Sequence, residues 1–169
     1  KLAQVFASIR GLDLVETRIR SKLVSKPDIL AKIADYLLQL GGKRIRPILA
    51  LMSAGLFNMH SPSDKLIDVA AALEMIHMAT LLHDDIIDHS PIRRHKKSAY
   101  LEYGLDATLL SGDFLLVRAF SLCAKLDQHI VDATETACVE LTEGEIAETN
   151  VPISQHTKES SLEIARKKT

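Results

Sequence analysis

Residues 64–89 read DKLIDVAAALEMIHMATLLHDDIIDH, a stretch with neither glycine nor proline. Ser63 stands before it as a candidate helix cap and Ser90-Pro91 breaks the run after it, so the segment predicts one uninterrupted helix. Its first two-thirds are apolar nearly all round, a pattern that calls for neighbouring helices on every side. From Leu66 to Leu82 the run is interrupted by Asp68, Glu74 and His77, groups that a membrane span is expected to exclude. The stretch therefore reads as the central core helix of an all-α protein without a transmembrane segment. Asp84, Asp85 and Asp88 gather at its C-terminal end.

Outward from this helix the chain keeps the same character. Seven glycines and five prolines fall between long runs of helical spacing, and no alternation of strands and helices appears. Val5, Phe6, Ile9, Leu12, Val15, Ile19 and Leu23 trace one face of a first helix, with Gly11 a weak point in its middle. Pro27-Asp28 opens a second helix that runs to Leu40 and stops at Gly41-Gly42. Pro47 can open a third. Gly104 separates a short helix from a long one over residues 105–125, and two more fit residues 128–150 and 157 onward. At 169 residues with 47% hydrophobic side chains, residues 1–169 fit a single domain.

A net charge of −1 and an isoelectric point near 6.7 give no reason to expect nucleic acid or an anionic membrane as partner. Cys123 and Cys138 are too few for a disulfide scaffold and lack metal-ligand spacing. They point to a reducing compartment, cytoplasm or organelle matrix. No charged segment followed by an unbroken apolar run marks a signal peptide at the N-terminus. The absence of an initiator Met and of a stop signal at Arg166-Lys167-Lys168-Thr169 is expected of part of a longer protein.

The chemistry concentrates in three places. Four-residue spacing puts Asp84 and Asp88 on one helix face, where the helix dipole disfavours negative charge. Either solvent or hard cations must answer that charge, and oxygen ligands at this spacing suit magnesium bridged to substrate phosphates. Arg93, Arg94, His95, Lys96 and Lys97 follow closely, a basic loop that is either a solvated counterweight or an anion grip. A second basic group, Gly41-Gly42-Lys43-Arg44-Ile45-Arg46-Pro47, sits at a helix start, where exposed amides attract anions. His77, two turns before Asp84 on the same face, is either a core histidine or a further anion contact.

Taken in order and spacing, these segments resemble the trans-isoprenyl diphosphate synthases (polyprenyl synthetases), in particular those making long octaprenyl or decaprenyl chains. That family carries Gly-Gly-Lys-Arg-x-Arg-Pro, then Asp-Asp-x-x-Asp with an Arg pair, then Lys-Thr; here these are Gly41 to Pro47, Asp84 to Asp88 with Arg93-Arg94, and Lys168-Thr169. Gly112-Asp113-Phe114 and Glu143-Gly144-Glu145 extend the likeness. The resemblance implies an isoprenoid-synthase bundle of antiparallel helices around an apolar cavity, and a magnesium-dependent prenyltransferase. Asp84 and Asp88 would bind Mg2+, with Asp85 supporting them in the metal motif. Arg93 would hold the allylic diphosphate, and Lys43, Arg46, His77 and Arg94 isopentenyl diphosphate. Lys168 and Thr169 would steady the leaving diphosphate; Arg44 has no clear role.

In the family the residues four and five positions before the first Asp form the floor of the product tunnel. Here they are Thr80 and Ala79, small side chains that imply a long all-trans product such as the prenyl tail of ubiquinone or another quinone. A homodimer packed through long helices is also implied. The chain departs from the pattern at His89, where the family has an acidic residue, and at His95-Lys96-Lys97-Ser98, where it has Gly-Lys-Pro. The second Asp-rich motif is missing, so the chain alone is expected to be inactive. A non-catalytic partner subunit, a shorter-chain farnesyl or geranylgeranyl synthase and a terpene cyclase are the alternative readings. The cyclase has no use for the segment from Gly41 to Pro47, and a scaffold none for the aspartates.

Overall fold

The computed structural model describes residues 9–57, 61–155 and 157–168, with the backbone alone of Ile153. Among these residues the chain forms eight α-helices: α1 Leu12–Lys22, α2 Asp28–Gln39, α3 Ile45–Gly55, α4 Asp64–Ile87, α5 Ala99–Tyr103, α6 Leu105–Cys123, α7 Gln128–Asn150 and α8 Lys158–Lys168. A two-stranded hairpin, β1 Ile92–Arg93 and β2 Lys96–Lys97, lies between α4 and α5, and a 3-10 turn, Ile153–Gln155, precedes α8. The chain divides into two compact units, Lys1–Lys125 and Leu126–Thr169.

In the first unit α4 is central and packs against α1, α3 and α6, while α2 lies against α6. The Ser63 hydroxyl caps α4 by accepting from the Leu66 amide at 3.2 Å. Ala70, Ala71, Ala72 and Ala79 let neighbours approach closely, and Met75, Met78 and Leu82 fill the space between them. Ile19 of α1, Ile33 of α2 and Leu115 of α6 complete this core, each contributing on the order of 1.5–3 kcal/mol by burial. By length and composition α4 is apolar enough to cross a membrane, yet more than half of that span is buried inside the unit. In the second unit α7 packs along α8, whose start is fixed by reciprocal bonds between Thr157 and Ser160.

Three local expectations change. The first helix begins after Gly11, whose φ of 95° is left-handed, so this glycine starts the helix instead of weakening its middle; Val5 and Phe6 lie outside the described residues. The third helix starts at Ile45, placing Pro47 third within it, where the missing N–H has no intrahelical partner to lose. The basic loop is a hairpin, with Ile92 opposite Lys97 and Arg93 opposite Lys96. Arg94 and His95 form its two-residue turn at φ 50° and 67°. Such a turn matches the strand twist but usually recruits Asn-Gly, which is why the residue types gave no hint of it.

Candidate active site

The C-terminal end of α4 is built by a Schellman motif. The His89 amide donates to the Ile86 carbonyl at 3.2 Å and the Ser90 amide to that of Asp85 at 3.0 Å. His89 takes the left-handed position at φ 50°, where glycine is usual. Ser90 and Pro91 then turn the chain into the hairpin, which is anchored at its base: the Ser98 hydroxyl donates to the Ser90 carbonyl, and Tyr36 of α2 to that of Lys97 at 2.8 Å.

This geometry separates the three aspartates. Asp88 is exposed and Asp84 half-buried on the shared outer face, with Thr80 one turn further back along it. Asp85 points inward and is 1% exposed. Arg93 donates to its Oδ1 from Nε at 2.9 Å and from Nη2 at 2.5 Å, while Oδ2 is buried without a partner. Among the described residues no three His, Cys, Asp or Glu side chains converge as a metal cluster. Two carboxylates on one helix face nevertheless suit magnesium, which keeps several waters and completes its shell with phosphate oxygens.

The second basic group and α4 meet around a cavity of about 340 Å³ lined by Gly42, Lys43, Arg44, Ile45, Arg46, Glu74, His77 and Arg94. All four residues that the resemblance implied for one diphosphate, Lys43, Arg46, His77 and Arg94, thus share one wall system. Gly42 belongs here for steric reasons: a Cβ would come within 2.8 Å of the Arg94 guanidinium. Burial, then the charges of Arg46, Arg94, Arg93 and Arg44, push the His77 pKa down to about 4. His77 is therefore neutral at pH 7. The Arg94 pKa is also lowered, by burial and by Arg44 and Arg93, with Glu74 opposing. A dianionic ligand would relieve both.

Several participants carried no signal in the residue types. Arg44 bonds Glu16 and Glu74, and the spacing of these residues in the chain gave no reason to pair them. His83 donates from Nε2 to the Leu109 carbonyl at 3.1 Å, since a carbonyl can only accept, and Asp113 lies 3.5 Å from the same nitrogen. A Cβ on Gly112 would overlap the His83 ring, which explains Gly112-Asp113 as a packing pair for the turn bearing Asp84. Ala79 is fully buried in the core, and Thr80 is half-buried with its hydroxyl bonded to the His77 carbonyl at 2.8 Å.

In the second unit Lys168 bonds Glu145 at 2.6 Å and also Glu148. Burial disfavours its charge, but these hydrogen bonds and both carboxylates more than offset that, and its pKa is raised. Gly144 admits this pairing, because a Cβ there would stand 2.9 Å from Lys167 and Lys168 side-chain carbons. Thr169 lies outside the described residues.

Comparison with known proteins identifies the family. The polyprenyl synthetase family model matches residues 27–169. An octaprenyl diphosphate synthase from Haemophilus influenzae is 38% identical over 133 residues, covering 78% of this chain and 40% of the relative. A short chain isoprenyl diphosphate synthase from Methanocaldococcus jannaschii is 34% identical over 171 residues, covering 94% of this chain and 52% of the relative. The crystal structure of polyprenyl synthase from Caulobacter crescentus, complexed with calcium and isoprenyl diphosphate, superposes with a TM-score of 0.89 at 32% identity, covering 99% of this chain and 51% of that one. The chain spans about half the length of the proteins it matches. With the family model covering most of its residues and the all-α isoprenoid synthase fold shared with solved members, the chain belongs to the polyprenyl synthetase family.

Proposed function

We propose that this chain carries the substrate-binding apparatus of a magnesium-dependent trans-prenyltransferase that joins an allylic diphosphate to isopentenyl diphosphate. The observation carrying this reading is the meeting of Lys43, Arg46, His77 and Arg94 around one cavity, where His77 belongs to the same helix that carries Asp84 and ends at Asp88. His77 and Asp84 are seven residues apart, about 10.5 Å along the axis, a separation that suits two diphosphates bound side by side. Magnesium held by Asp84 and Asp88 would neutralise the allylic diphosphate. Arg93, which ties the hairpin to Asp85, would exchange part of that bond for the same ligand.

The cavity residues hold isopentenyl diphosphate by its charged end. The allylic C–O bond breaks, its electron pair leaving with the diphosphate, and the isopentenyl double bond attacks the allylic carbon to form the new C–C bond. A proton then leaves the adjacent carbon for the released diphosphate. The apolar helices exclude water that would otherwise capture the cation.

Small side chains at Ala79 and Thr80 support a long all-trans product, as for a quinone tail, although relatives of both long and short chain length match. Chromatography of products made from labelled isopentenyl diphosphate by a catalytically competent chain that includes these residues tests this: Ala79→Phe or Thr80→Phe is expected to shorten them, and unchanged lengths would remove the floor assignment. Exposed Leu109, Leu110, Val117 and Phe120 on α6 support self-association as a homodimer, which sedimentation analysis can test.

Binding separates the enzyme classes directly. With magnesium, both isopentenyl diphosphate and an allylic diphosphate should raise the melting temperature of this chain. A cyclase would respond to the allylic compound alone. Loss of the isopentenyl response in Lys43→Ala and Arg46→Ala would tie it to the cavity; an unaltered response would refute the assignment.

A further inference from the structure

An anion-binding cavity has no evident use for a carboxylate, yet Glu74 lines this one, the single acidic residue to do so among the described residues. Its side chain is 4% exposed. Arg44 presents the complementary puzzle. It stands between Lys43 and Arg46 in a three-cation segment, yet its guanidinium is turned into the protein and is 9% exposed. Nε donates to Glu16 of α1 at 3.1 Å, Nη1 to Glu74 of α4 at 3.1 Å, and Nη2 to the Leu38 carbonyl at the end of α2 at 3.0 Å. Every guanidinium nitrogen is thus committed to the protein, and the side chain joins three helices.

The backbone of Arg44 is the N-cap of α3 at φ 49°, a conformation an L side chain adopts at a cost. Gly41 and Gly42, at φ 78° and 153°, precede it with only Lys43 between. A turn of this kind has little intrinsic preference for its own shape. Strained residues of this sort persist where the surroundings over-determine them. Here the surroundings are Glu16, Glu74 and the carbonyls of Leu38 and Gly41, and the residues so presented are Lys43 and Arg46 on either side of the anchored one. Glu74 and Arg94 line the same cavity, and the carboxylate's charge favours the Arg94 cation there, so cations from two separate segments, residues 43–46 and the hairpin turn, meet around one space beside Glu74.

We propose that Glu16, Arg44 and Glu74 form a positioning network that sets Lys43, Arg46 and Arg94 in register for a diphosphate while making no contact with the ligand themselves. This deepens the assignment of the cavity to isopentenyl diphosphate and rests on it. Charge and position predict opposite signs. If charge alone mattered, neutralising Glu74 or Glu16 would make the cavity more positive and bind anions more tightly. If positioning governs, the same changes release Arg44 and weaken binding.

Calorimetry on the purified chain with isopentenyl diphosphate and with inorganic pyrophosphate reads the sign. Glu74→Gln, Glu16→Gln and Arg44→Lys are each expected to weaken binding about tenfold or more at temperatures well below their melting points, the order expected when a charge-assisted bond is lost. Arg44→Lys keeps the charge and loses the fork, so near-native affinity there overturns the network, as does tighter binding in either glutamine variant. Glu74→Gln should cost markedly less in a Lys43→Ala background, because it acts through the segment bearing Lys43. Equal costs in both backgrounds would make its role merely structural. If Glu74→Gln does not fold, Glu16→Gln decides, since Glu16 is partly exposed and lies outside the cavity wall. Failure of the unaltered chain to bind either probe overturns the cavity assignment and the network with it.

Discussion

Arg93 grips a single oxygen of Asp85, from Nε at 2.9 Å and Nη2 at 2.5 Å, and leaves the other carboxylate oxygen buried and unpartnered. The middle aspartate of the acidic run therefore joins the hairpin to the core helix, while Asp84 and Asp88 face outward.

That pair is asymmetric in its consequences. Arg93→Met strands a carboxylate that is 1% exposed and is expected to cost about 3 kcal/mol. Asp85→Asn leaves behind an arginine that is 24% exposed and can reach water, so its cost should be smaller, about 1–2 kcal/mol. Urea denaturation measures both, and the order of the two is the point at issue.

His77 makes stability depend on pH. Its folded pKa of about 4 lies below the ordinary 6.5, so between these values the unfolded chain holds a proton that the folded chain does not. Its contribution is fully present above 6.5 and is lost as pH falls toward 4. His77→Asn should flatten that part of the stability profile. A diphosphate in the cavity reverses the electrostatics, so its binding near pH 6 should take up a proton, detectable as a heat that varies with the buffer's ionisation enthalpy.

His89 and His95 hold left-handed conformations in which glycine meets no steric cost. His89→Gly and His95→Gly are each expected to stabilise the protein by about 0.5–1 kcal/mol, the relief of strain exceeding the added freedom of the unfolded chain. Thermal unfolding provides the comparison. A loss of stability would mean that the imidazoles make contacts worth more than the strain.

Gly112 and His83 should behave as one unit. Gly112→Ala forces the imidazole aside and is expected to cost about 2–3 kcal/mol, whereas in a His83→Ala background the added methyl has room. A double-mutant cycle by denaturation should return a coupling of about 1–3 kcal/mol. Additive costs would place the obstruction elsewhere.

The amino-acid sequence determined the helices and where they stop, because periodicity, capping residues and glycine act within a few residues of one another. It also determined the acidic face of Asp84 and Asp88, a matter of four-residue spacing, and the chemical kind of ligand that Lys43, Arg46 and Arg94 would suit. Tertiary structure decided which charges serve the ligand and which serve the fold. Nothing local distinguishes Arg44 from Lys43 and Arg46; it turns inward because Glu16 and Glu74, nearly thirty residues away on either side, meet it there. Helical spacing turns Asp85 away from Asp84 and Asp88, but its buried carboxylate finds a partner only because a hairpin returns Arg93 to it, and that hairpin turns on residues that do not favour the conformation. Burial and long-range pairing separate Arg44 from its neighbouring cations and give Asp85 its partner, and neither is legible in residue type or spacing.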